Sequence, residues 1–200
     1  MDENLHPISD RLLTQADREV SLGQKGKVVW LCGLSGSGKS TLAIALEKSL
    51  YNAGKHVYVL DGDNIRTGLN AGLGFSEDDR RENIRRIAEV SKLFADSGMI
   101  TLNSFITPTE ELRTLAREVI GKENLIEIYV KASFETCKER DVKGLYAKVE
   151  KGLVPNFTGK DSGFEEPETS DLVIDTEAQS VEESLQSLLE FVAPRVERDV

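Results

Sequence analysis

Cysteine is scarce in this chain of 200 residues, which has only two, Cys32 and Cys137. They lie far apart, one at the end of an apolar run and one inside a helical pattern, so we expect two small buried thiols in a reducing compartment rather than a disulfide. Basic residues are also in deficit, with 25 Lys and Arg against 35 Asp and Glu and a formal net charge of −10. This balance argues against general nucleic-acid binding, which requires a basic surface.

Long apolar runs are absent as well. The longest stretches fall well short of the ~18 residues of a membrane helix, and the N-terminus is acidic and polar, unlike a secretory signal. We therefore expect no membrane partner and a soluble, cytoplasmic protein. A length of 200 residues suits one domain.

Apolar segments alternate between strand and helix patterns along the chain. The predicted strands are Val28–Cys32, His56–Leu60, Met99–Phe105, Leu125–Val130 and Leu172–Ile174. The predicted helices are Leu42–Tyr51, Glu77–Ser97, Thr109–Ile120, Ser133–Arg140 and Val181–Val192. This alternation predicts an α/β fold with a mostly parallel five-stranded sheet and helices on both faces. We expect a polar, irregular N-terminal arm over residues 1–22 and a single domain over residues 23–200.

One segment interrupts the alternation. Residues 141–168 show little apolar periodicity and contain several glycines and lysines. A stretch of this length inside a compact domain is typically a lid or a binding loop, and a mobile solvated insertion is the alternative. We interpret residues 141–168 as a lid.

The most informative motif is Gly33-Leu-Ser-Gly-Ser-Gly-Lys-Ser-Thr41, directly after the first apolar strand. It fits the phosphate-loop pattern Gly-x4-Gly-Lys-[Ser/Thr] in the required strand-to-helix context. Its glycines let backbone N–H groups converge on phosphate oxygens, and the positive end of the next helix points to the same place. Lys39 would contact the β- and γ-phosphates, and the Ser40 hydroxyl would ligate Mg²⁺.

The alternative interpretation of this motif is a structural glycine-rich turn, but chance matches usually lack the flanking strand and helix. The motif therefore predicts binding of a nucleoside triphosphate. The candidate contacts to this nucleotide within the motif are Gly33, Ser35, Gly36, Ser37, Gly38, Lys39, Ser40 and Thr41.

Two acidic residues follow the second predicted strand, in Leu60-Asp-Gly-Asp-Asn-Ile-Arg66. Asp61 and Asp63 emerge at the sheet edge where the phosphate loop also points. A carboxylate there can hold a Mg²⁺-bound water or accept a proton from an attacking hydroxyl. Asp-Gly-Asp-Asn is also good turn chemistry without any function, so this motif alone leaves both interpretations open.

A local basic cluster stands out on this acidic chain. Five arginines lie within 21 residues: Arg66, Arg80, Arg81, Arg85 and Arg86. Arginine forks match phosphate and sulfate oxygens in bidentate pairs. The alternative is a salt-bridged helix face, which we expect for Arg81 and Arg85.

Together these motifs resemble the adenylylsulfate kinase family. The resemblance runs in order over residues 4–170 and rests on Asn4-Leu-His-Pro7, Ala16-Asp-Arg-Glu19, Gly33–Thr41, Leu60–Arg66, Leu73-Gly-Phe-Ser76, Asp79-Arg80, Glu82-Asn-Ile-Arg-Arg86, Leu93-Phe-Ala-Asp96, Arg140-Asp-Val-Lys-Gly-Leu-Tyr146 and Asn156-Phe-Thr-Gly159. It implies a phosphate-loop kinase fold and a homodimer. The implied reaction moves the ATP γ-phosphate to the 3′-hydroxyl of adenosine 5′-phosphosulfate, giving 3′-phosphoadenosine 5′-phosphosulfate and ADP, with Mg²⁺ as cofactor.

The resemblance also implies roles for single residues. Arg140 would face ATP, over its adenine or its phosphates, and Asp61 would join Ser40 at the metal. Asp63 would orient the 3′-hydroxyl or the metal. The implied contacts to the acceptor are Asp63, Asn64, Arg66, Phe75, Arg80, Asn83, Ile106, Thr107, Lys143, Asn156 and Phe157. Among these, Phe75 and Phe157 would stack on its adenine, and Lys143 would reach it from the lid.

The chain departs from the family pattern in Ser104-Phe-Ile-Thr-Pro-Thr109. Thr107 stands where the family typically has a serine regarded as able to carry a phosphate, and Thr109 replaces an aromatic residue. Threonine keeps the hydroxyl but adds a methyl group and a stiffer χ1. We count Thr107 with Lys39 and Asp63 among the candidate catalytic residues and expect direct transfer without a phosphoenzyme.

Two other functions remain as alternatives. A phosphate-loop kinase for another small metabolite would have no use for the paired Phe75 and Phe157. A non-catalytic nucleotide-binding subunit would not need the intact Lys39, Ser40 and Asp63.

Overall fold

The computed structural model describes residues 4, 6–141, 144–150, 158–159 and 163–198. Its strands are β1 (Val28–Cys32), β2 (Val57–Asp61), β3 (Ile100–Ser104), β4 (Leu125–Lys131) and β5 (Leu172–Asp175). Its α-helices are α1 (Gln15–Leu22), α2 (Lys39–Asn52), α3 (Gly62–Arg66), α4 (Glu77–Asp96), α5 (Glu110–Ile120), α6 (Phe134–Arg140), α7 (Leu145–Glu150) and α8 (Val181–Val196). A short 3₁₀ turn precedes them at Ser9–Arg11.

The five strands form one parallel sheet in the order β2-β3-β1-β4-β5. The predicted α/β class and parallel five-stranded sheet are therefore confirmed, and every predicted strand end agrees with the structure to within one residue. Strand β1 lies at the centre, between β3 and β4. Its carboxyl end is thus flanked by the ends of strands on both sides, and this crevice is where open α/β sheets bind ligands.

The sheet is covered on both faces. Val29 and Leu31 of β1 pack into a core with α2 and α8, whereas Val28, Trp30 and Cys32 pack into a second core with α4 and α5. All five side chains are at most 3% exposed. Burial on both faces explains why β1 is a continuous apolar run rather than an alternating one.

The cysteines agree with the sequence-based expectation. Cys32 and Cys137 are both buried and free. Burial raises the pKa of the Cys32 thiol to about 11. Within the described ranges, no helix is long and apolar enough to cross a membrane.

Residues 1–22 are less irregular than expected, because Gln15–Leu22 form helix α1. Thr14 and Asp17 make a reciprocal capping box at its start, and Gly23 ends it in the left-handed conformation at φ 64°. The helix is docked: the side-chain amide of Gln15 donates to the Gly26 carbonyl at 3.2 Å. A Thr-x-x-Asp pattern followed by a Gly six residues after the Asp was the available signal, and the polar composition of the arm masked it.

Helix α8 also differs from its prediction, continuing four residues beyond Val192 to Val196. Pro194 lies inside this last turn. Val192 and Val196 are both fully buried against the core. Their burial offsets the one backbone hydrogen bond that a proline removes near a helix end.

Candidate active site

The phosphate loop joins β1 to α2 and depends on glycine for its shape. Gly33 and Gly36 have φ values of 148° and 84°, a region that side chains with a Cβ rarely adopt. A Cβ at Gly33 would lie 2.3 Å from the Val130 carbonyl oxygen, and one at Gly36 would lie 3.0 Å from that of Cys137. The loop is therefore pressed against β4 and α6 and admits no larger residue at either position.

Lys39 is the first residue of α2, so its charge stands at the positive end of that helix. The first turn of α2 carries no acidic side chain. The Lys39 ammonium donates to the Leu34 carbonyl at 2.7 Å and is only 7% exposed. This geometry folds the lysine back over the loop, where it adds positive charge to an anion-binding helix end.

Three oxygen-bearing side chains meet beside the loop. The Ser40 hydroxyl donates to Asp61 Oδ2 at 2.7 Å and lies 3.1 Å from the Ser104 hydroxyl. The other carboxylate oxygen, Oδ1, accepts from the Asp63 backbone N–H at 3.0 Å and so caps α3. Sequence analysis missed Ser104, whose approach follows from β3 lying between β1 and β2.

Two arginines and an aromatic ring form another side of the site. Arg66 donates to the carbonyls of residues 73 and 74, and its guanidinium carbon lies 4.4 Å from the Phe75 ring centroid. Arg80 donates to the Phe75 carbonyl at 3.0 Å and to the Thr158 hydroxyl at 2.8 Å. Burial lowers the pKa of both arginines, and the nearby Arg66 lowers that of Arg80 further. Two partly desolvated like charges favour a bound anion between them.

Asn83 lies three residues after Arg80 on α4 and is 6% exposed. Its side-chain oxygen accepts from the amide of Asn70 at 3.0 Å, and Asn70 itself is fully buried. The Asn70 contact fixes the orientation of the Asn83 amide, which was not foreseen from the sequence.

Thr107 lies in the loop after β3 and has φ 45°, an unusual value for a β-branched residue. Its hydroxyl accepts from the Trp30 indole N–H at 2.9 Å, and its carbonyl accepts from Arg113 at 3.1 Å. The preceding residue, Ile106, accepts from the Gly33 N–H at 3.2 Å. The phosphate loop and the loop carrying Thr107 are thus hydrogen-bonded to each other.

Two residues, one at the end of α6 and one in α7, contact the phosphate loop. Arg140 donates to the Thr176 carbonyl at 2.7 Å and to the Gly36 carbonyl at 3.4 Å. The Tyr146 hydroxyl, from α7, donates to the Ser35 carbonyl at 2.7 Å. Helix α7 lies within the predicted lid, residues 141–168, and sequence periodicity did not reveal it.

One cavity of about 350 Å³ lies between the phosphate loop and the Arg66–Arg80 pair. Most of the predicted site residues line it: Ser35, Gly36, Gly38, Lys39, Ser40, Thr41, Asp61, Asp63, Arg66, Phe75, Arg80, Asn83, Ile106 and Thr107. Lining residues that sequence analysis missed are Gly62, Ile84, Ser104, Phe105, Pro108, Leu112, Leu145 and Thr158.

The other predicted residues are placed differently. Gly33, Ser37 and Arg140 belong to or touch the phosphate loop but do not line the cavity. Asn64 is exposed on α3 and does not line it either. Lys143, Asn156 and Phe157 lie outside the described residues. The roles of all these residues stay predictions.

Comparison with known proteins gives a consistent result. The family model for adenylylsulphate kinase matches residues 25–175. The chain belongs to the adenylylsulphate kinase family. The adenylyl-sulfate kinase of Bacteroides thetaiotaomicron is 54% identical over 195 residues, which cover 98% of this chain and 97% of that protein.

Two solved structures extend the comparison. An APS kinase from Mycobacterium tuberculosis, in complex with AMPPNP and APS, is 43% identical with a TM-score of 0.81, covering 84% of this chain and 98% of that one. A hexameric APS kinase from Thiobacillus denitrificans is 30% identical with a TM-score of 0.64, covering 86% of this chain and 29% of that one. The predicted family and phosphate-loop kinase fold are therefore confirmed.

Proposed function

We propose that this family member transfers the γ-phosphate of ATP to the 3′-hydroxyl of adenosine 5′-phosphosulfate, giving 3′-phosphoadenosine 5′-phosphosulfate and ADP. The observation that carries the proposal is a single cavity lined both by the phosphate loop and by the Arg66–Arg80 pair. Direct transfer requires donor phosphate and acceptor hydroxyl to meet in one oriented, water-poor space. The AMPPNP and APS complex of the M. tuberculosis relative supports the same pair of ligands.

Mg²⁺ fits the oxygen cluster at the start of α2. Ser40 and Asp61 offer hard oxygen donors that lie 2.7 Å apart, and Mg²⁺ takes one or two protein ligands and completes its shell with water and phosphate oxygens. Within the described part of the chain, no group of three or more His, Cys, Asp or Glu side chains could hold a metal by itself. Ser40 would ligate the ion and Asp61 would hold one of its waters. The bound ion would supply charge neutralisation between the β- and γ-phosphates.

The remaining side chains have separate tasks in this proposal. Lys39 neutralises charge on the β- and γ-phosphates, and Arg140 contacts ATP from the side of Thr176. Arg66 and Arg80 bind the phosphosulfate of the acceptor as guanidinium forks. Asp63, which lines the cavity, orients the 3′-hydroxyl. Phosphoryl transfer needs mainly such positioning and charge neutralisation, so this set is sufficient.

The direct test is incubation with ATP, Mg²⁺ and adenosine 5′-phosphosulfate, with the nucleotide product identified by mass. We expect 3′-phosphoadenosine 5′-phosphosulfate, and no product from adenosine 5′-monophosphate or simple sugars at comparable concentrations. Product from another metabolite alone would favour a different kinase, and the absence of any turnover would favour a non-catalytic subunit.

A matched pair of variants tests the acceptor side. Arg80→Met should raise the KM for the acceptor and leave the KM for ATP nearly unchanged, because Arg80 lines the cavity and contacts Phe75 and Thr158. Arg81→Met is the control, since Arg81 is exposed and pairs with Glu111. Equal effects of the two substitutions would remove the anion-binding role of Arg80.

The family resemblance carries two further proposals. We propose that the protein forms a homodimer, for which equilibrium sedimentation should return twice the monomer mass. The hexameric T. denitrificans relative shows that assembly occurs among similar chains. We also propose that the protein acts in the cytoplasm, where ATP is available, and cell fractionation tests that placement.

A further inference from the structure

Thr107 adopts a backbone conformation that its side chain disfavours. Its φ of 45° lies in the left-handed region, where a β-branched residue is strained and needs support from its surroundings. Thr107 is also 1% exposed and lines the cavity. A strained backbone conformation of this kind persists only when contacts from neighbouring groups hold it in place.

Trp30 supplies one of these constraints. The indole is 2% exposed on β1, and its ring packs against Phe105 at a centroid distance of 5.7 Å. From this fixed position its N–H donates to the Thr107 hydroxyl oxygen at 2.9 Å. A donor aimed at that oxygen reduces its availability as a nucleophile, because one lone pair is already engaged.

Arg113 supplies the second constraint. Its guanidinium is 2% exposed and donates to the Thr107 carbonyl at 3.1 Å and to Glu110 at 2.9 Å. Glu110 also accepts from Arg117 at 2.6 Å. The buried charge of Arg113 is therefore paired with Glu110, and this ion pair fixes the guanidinium at the start of α5.

A backbone contact adds a connection to the donor side. The Ile106 carbonyl accepts from the Gly33 N–H at 3.2 Å, so the conformation at residue 107 also sets how residue 106 meets the phosphate loop. Trp30, Arg113 and Gly33 therefore each donate a hydrogen bond to residue 106 or 107.

We propose that Trp30 and Arg113 are positioning residues for phosphoryl transfer. They hold Thr107 in its left-handed conformation and thereby fix the part of the cavity wall formed by Ile106 and Thr107 relative to the phosphate loop. The inference rests on the proposed function, because the wall is assigned to the acceptor. Neither residue is assigned a contact with the reacting atoms. Trp30 acts through the Thr107 hydroxyl, and Arg113 acts through the Thr107 carbonyl.

A double-mutant cycle tests the Trp30 half. Trp30→Phe removes the N–H but keeps an aromatic ring, and Thr107→Val removes the hydroxyl but keeps β-branching. Each should raise the acceptor KM roughly fivefold, the worth of one buried hydrogen bond, with little change in the KM for ATP. The acceptor KM of the double variant should be no higher than that of Thr107→Val alone. Thr107→Ser, which keeps the hydroxyl, should have an acceptor KM close to that of the wild-type protein.

A pair of arginine variants tests the other half. Arg113→Lys should raise the acceptor KM by a similar factor. Arg117→Lys is the matched control, because Arg117 binds the same Glu110 carboxylate without contacting Thr107. Equal effects of the two lysine variants would mean that the ion pairs, and not the carbonyl contact, matter.

Spectroscopy tests the same bond without turnover. Trp30 is the one tryptophan in the sequence, so its indole N–H gives a single ¹⁵N-labelled resonance. We expect this resonance to shift in Thr107→Val and to move when adenosine 5′-phosphosulfate is added to the wild-type protein. Any of three results would overturn the inference: additive effects of the two substitutions on the acceptor KM, an equal rise in the KM for ATP, or an indole resonance that Thr107→Val leaves unchanged.

The outcomes also separate this inference from the function itself. An indole signal that responds to Thr107→Val in a protein without kinase activity would leave the Trp30 contact standing and remove the reaction. Normal kinase activity, together with additive effects of Trp30→Phe and Thr107→Val on the acceptor KM, would leave the reaction standing and remove the positioning role of Trp30.

Discussion

The Ser40 hydroxyl donates to the Asp61 carboxylate across 2.7 Å, although the two residues are 21 positions apart in the chain. Ser40 is the second residue of α2, whereas Asp61 ends β2 and caps α3. The contact places a hydroxyl and a carboxylate at the positive end of α2. It joins the donor side of the site to the segment that carries Asp63 and Arg66.

Asp61→Asn should raise the Mg²⁺ concentration needed for half-maximal rate. The amide keeps the size and can still accept from Ser40, but it loses the charge that would hold a metal-bound water. Initial rates over a Mg²⁺ titration at saturating nucleotides measure the effect. Asp78→Asn, at an exposed position in the first turn of α4, is the control. An unchanged Mg²⁺ dependence would remove Asp61 from the metal site.

Lys39→Ala should reduce ATP-dependent transfer by roughly 10²- to 10³-fold, the cost of losing one preorganised group that neutralises transition-state charge. The fold should survive, because alanine suits the first turn of α2. Initial rates and thermal denaturation followed by circular dichroism measure the two effects. Lys48→Ala, at an exposed position on the same helix, is the matched control. A near-normal kcat would contradict the assignment of this loop.

Thr107→Ala should keep most of the turnover number, with the loss appearing mainly in the acceptor KM. The Thr107 hydroxyl accepts from Trp30 at 2.9 Å, and in-line transfer between two nucleotides requires no protein intermediate. Steady-state kinetics and intact-mass measurements during turnover are the readouts. A phosphothreonine together with a kcat lower by roughly 10³-fold would establish the covalent route instead.

Glu82 should contribute stability that disappears in acid. Hydrogen bonds from Arg85 and Arg86, at 2.8 and 2.6 Å, lower the pKa of this carboxyl from 4.5 to about 2. A carboxyl whose pKa is lower in the folded than in the unfolded state stabilises the fold at every pH above its unfolded-state pKa. This contribution is lost as the pH falls from 4.5 towards 2.

Urea unfolding of wild type and Glu82→Gln between pH 6 and pH 3 checks this expectation. The difference in the free energy of unfolding between the two proteins should shrink as the pH falls. Salt should also reduce this difference, because the ion pairs of Glu82 with Arg85 and Arg86 are partly exposed. Glu118→Gln, at an exposed position on α5, is the control. A difference independent of pH would show that the carboxylate charge is not responsible.

Local patterns in the sequence were sufficient for much of this architecture. The parallel sheet follows from apolar runs separated by helical patterns, and each predicted strand end lies within one residue of the structure. The phosphate loop was identified from its spacing and from the predicted strand and helix that flank it, because its function depends on residues next to one another in the chain. Helix α1 was missed although Thr14, Asp17 and Gly23 cap both of its ends, since a short polar helix has no strong apolar periodicity.

The rest of the site depends on which strands are neighbours. Ser104 reaches Ser40 from a position 64 residues away, and Trp30 meets Thr107 from 77 residues away. The sequence by itself determined the chemical groups: a phosphate loop, two carboxylates around the end of β2, and a set of arginines. Only the tertiary structure decided which of them share one cavity and that Thr107 is held in a left-handed conformation. The reason is physical, because hydrogen bonding between β1 and β3 sets the distance between two loops that no local pattern connects.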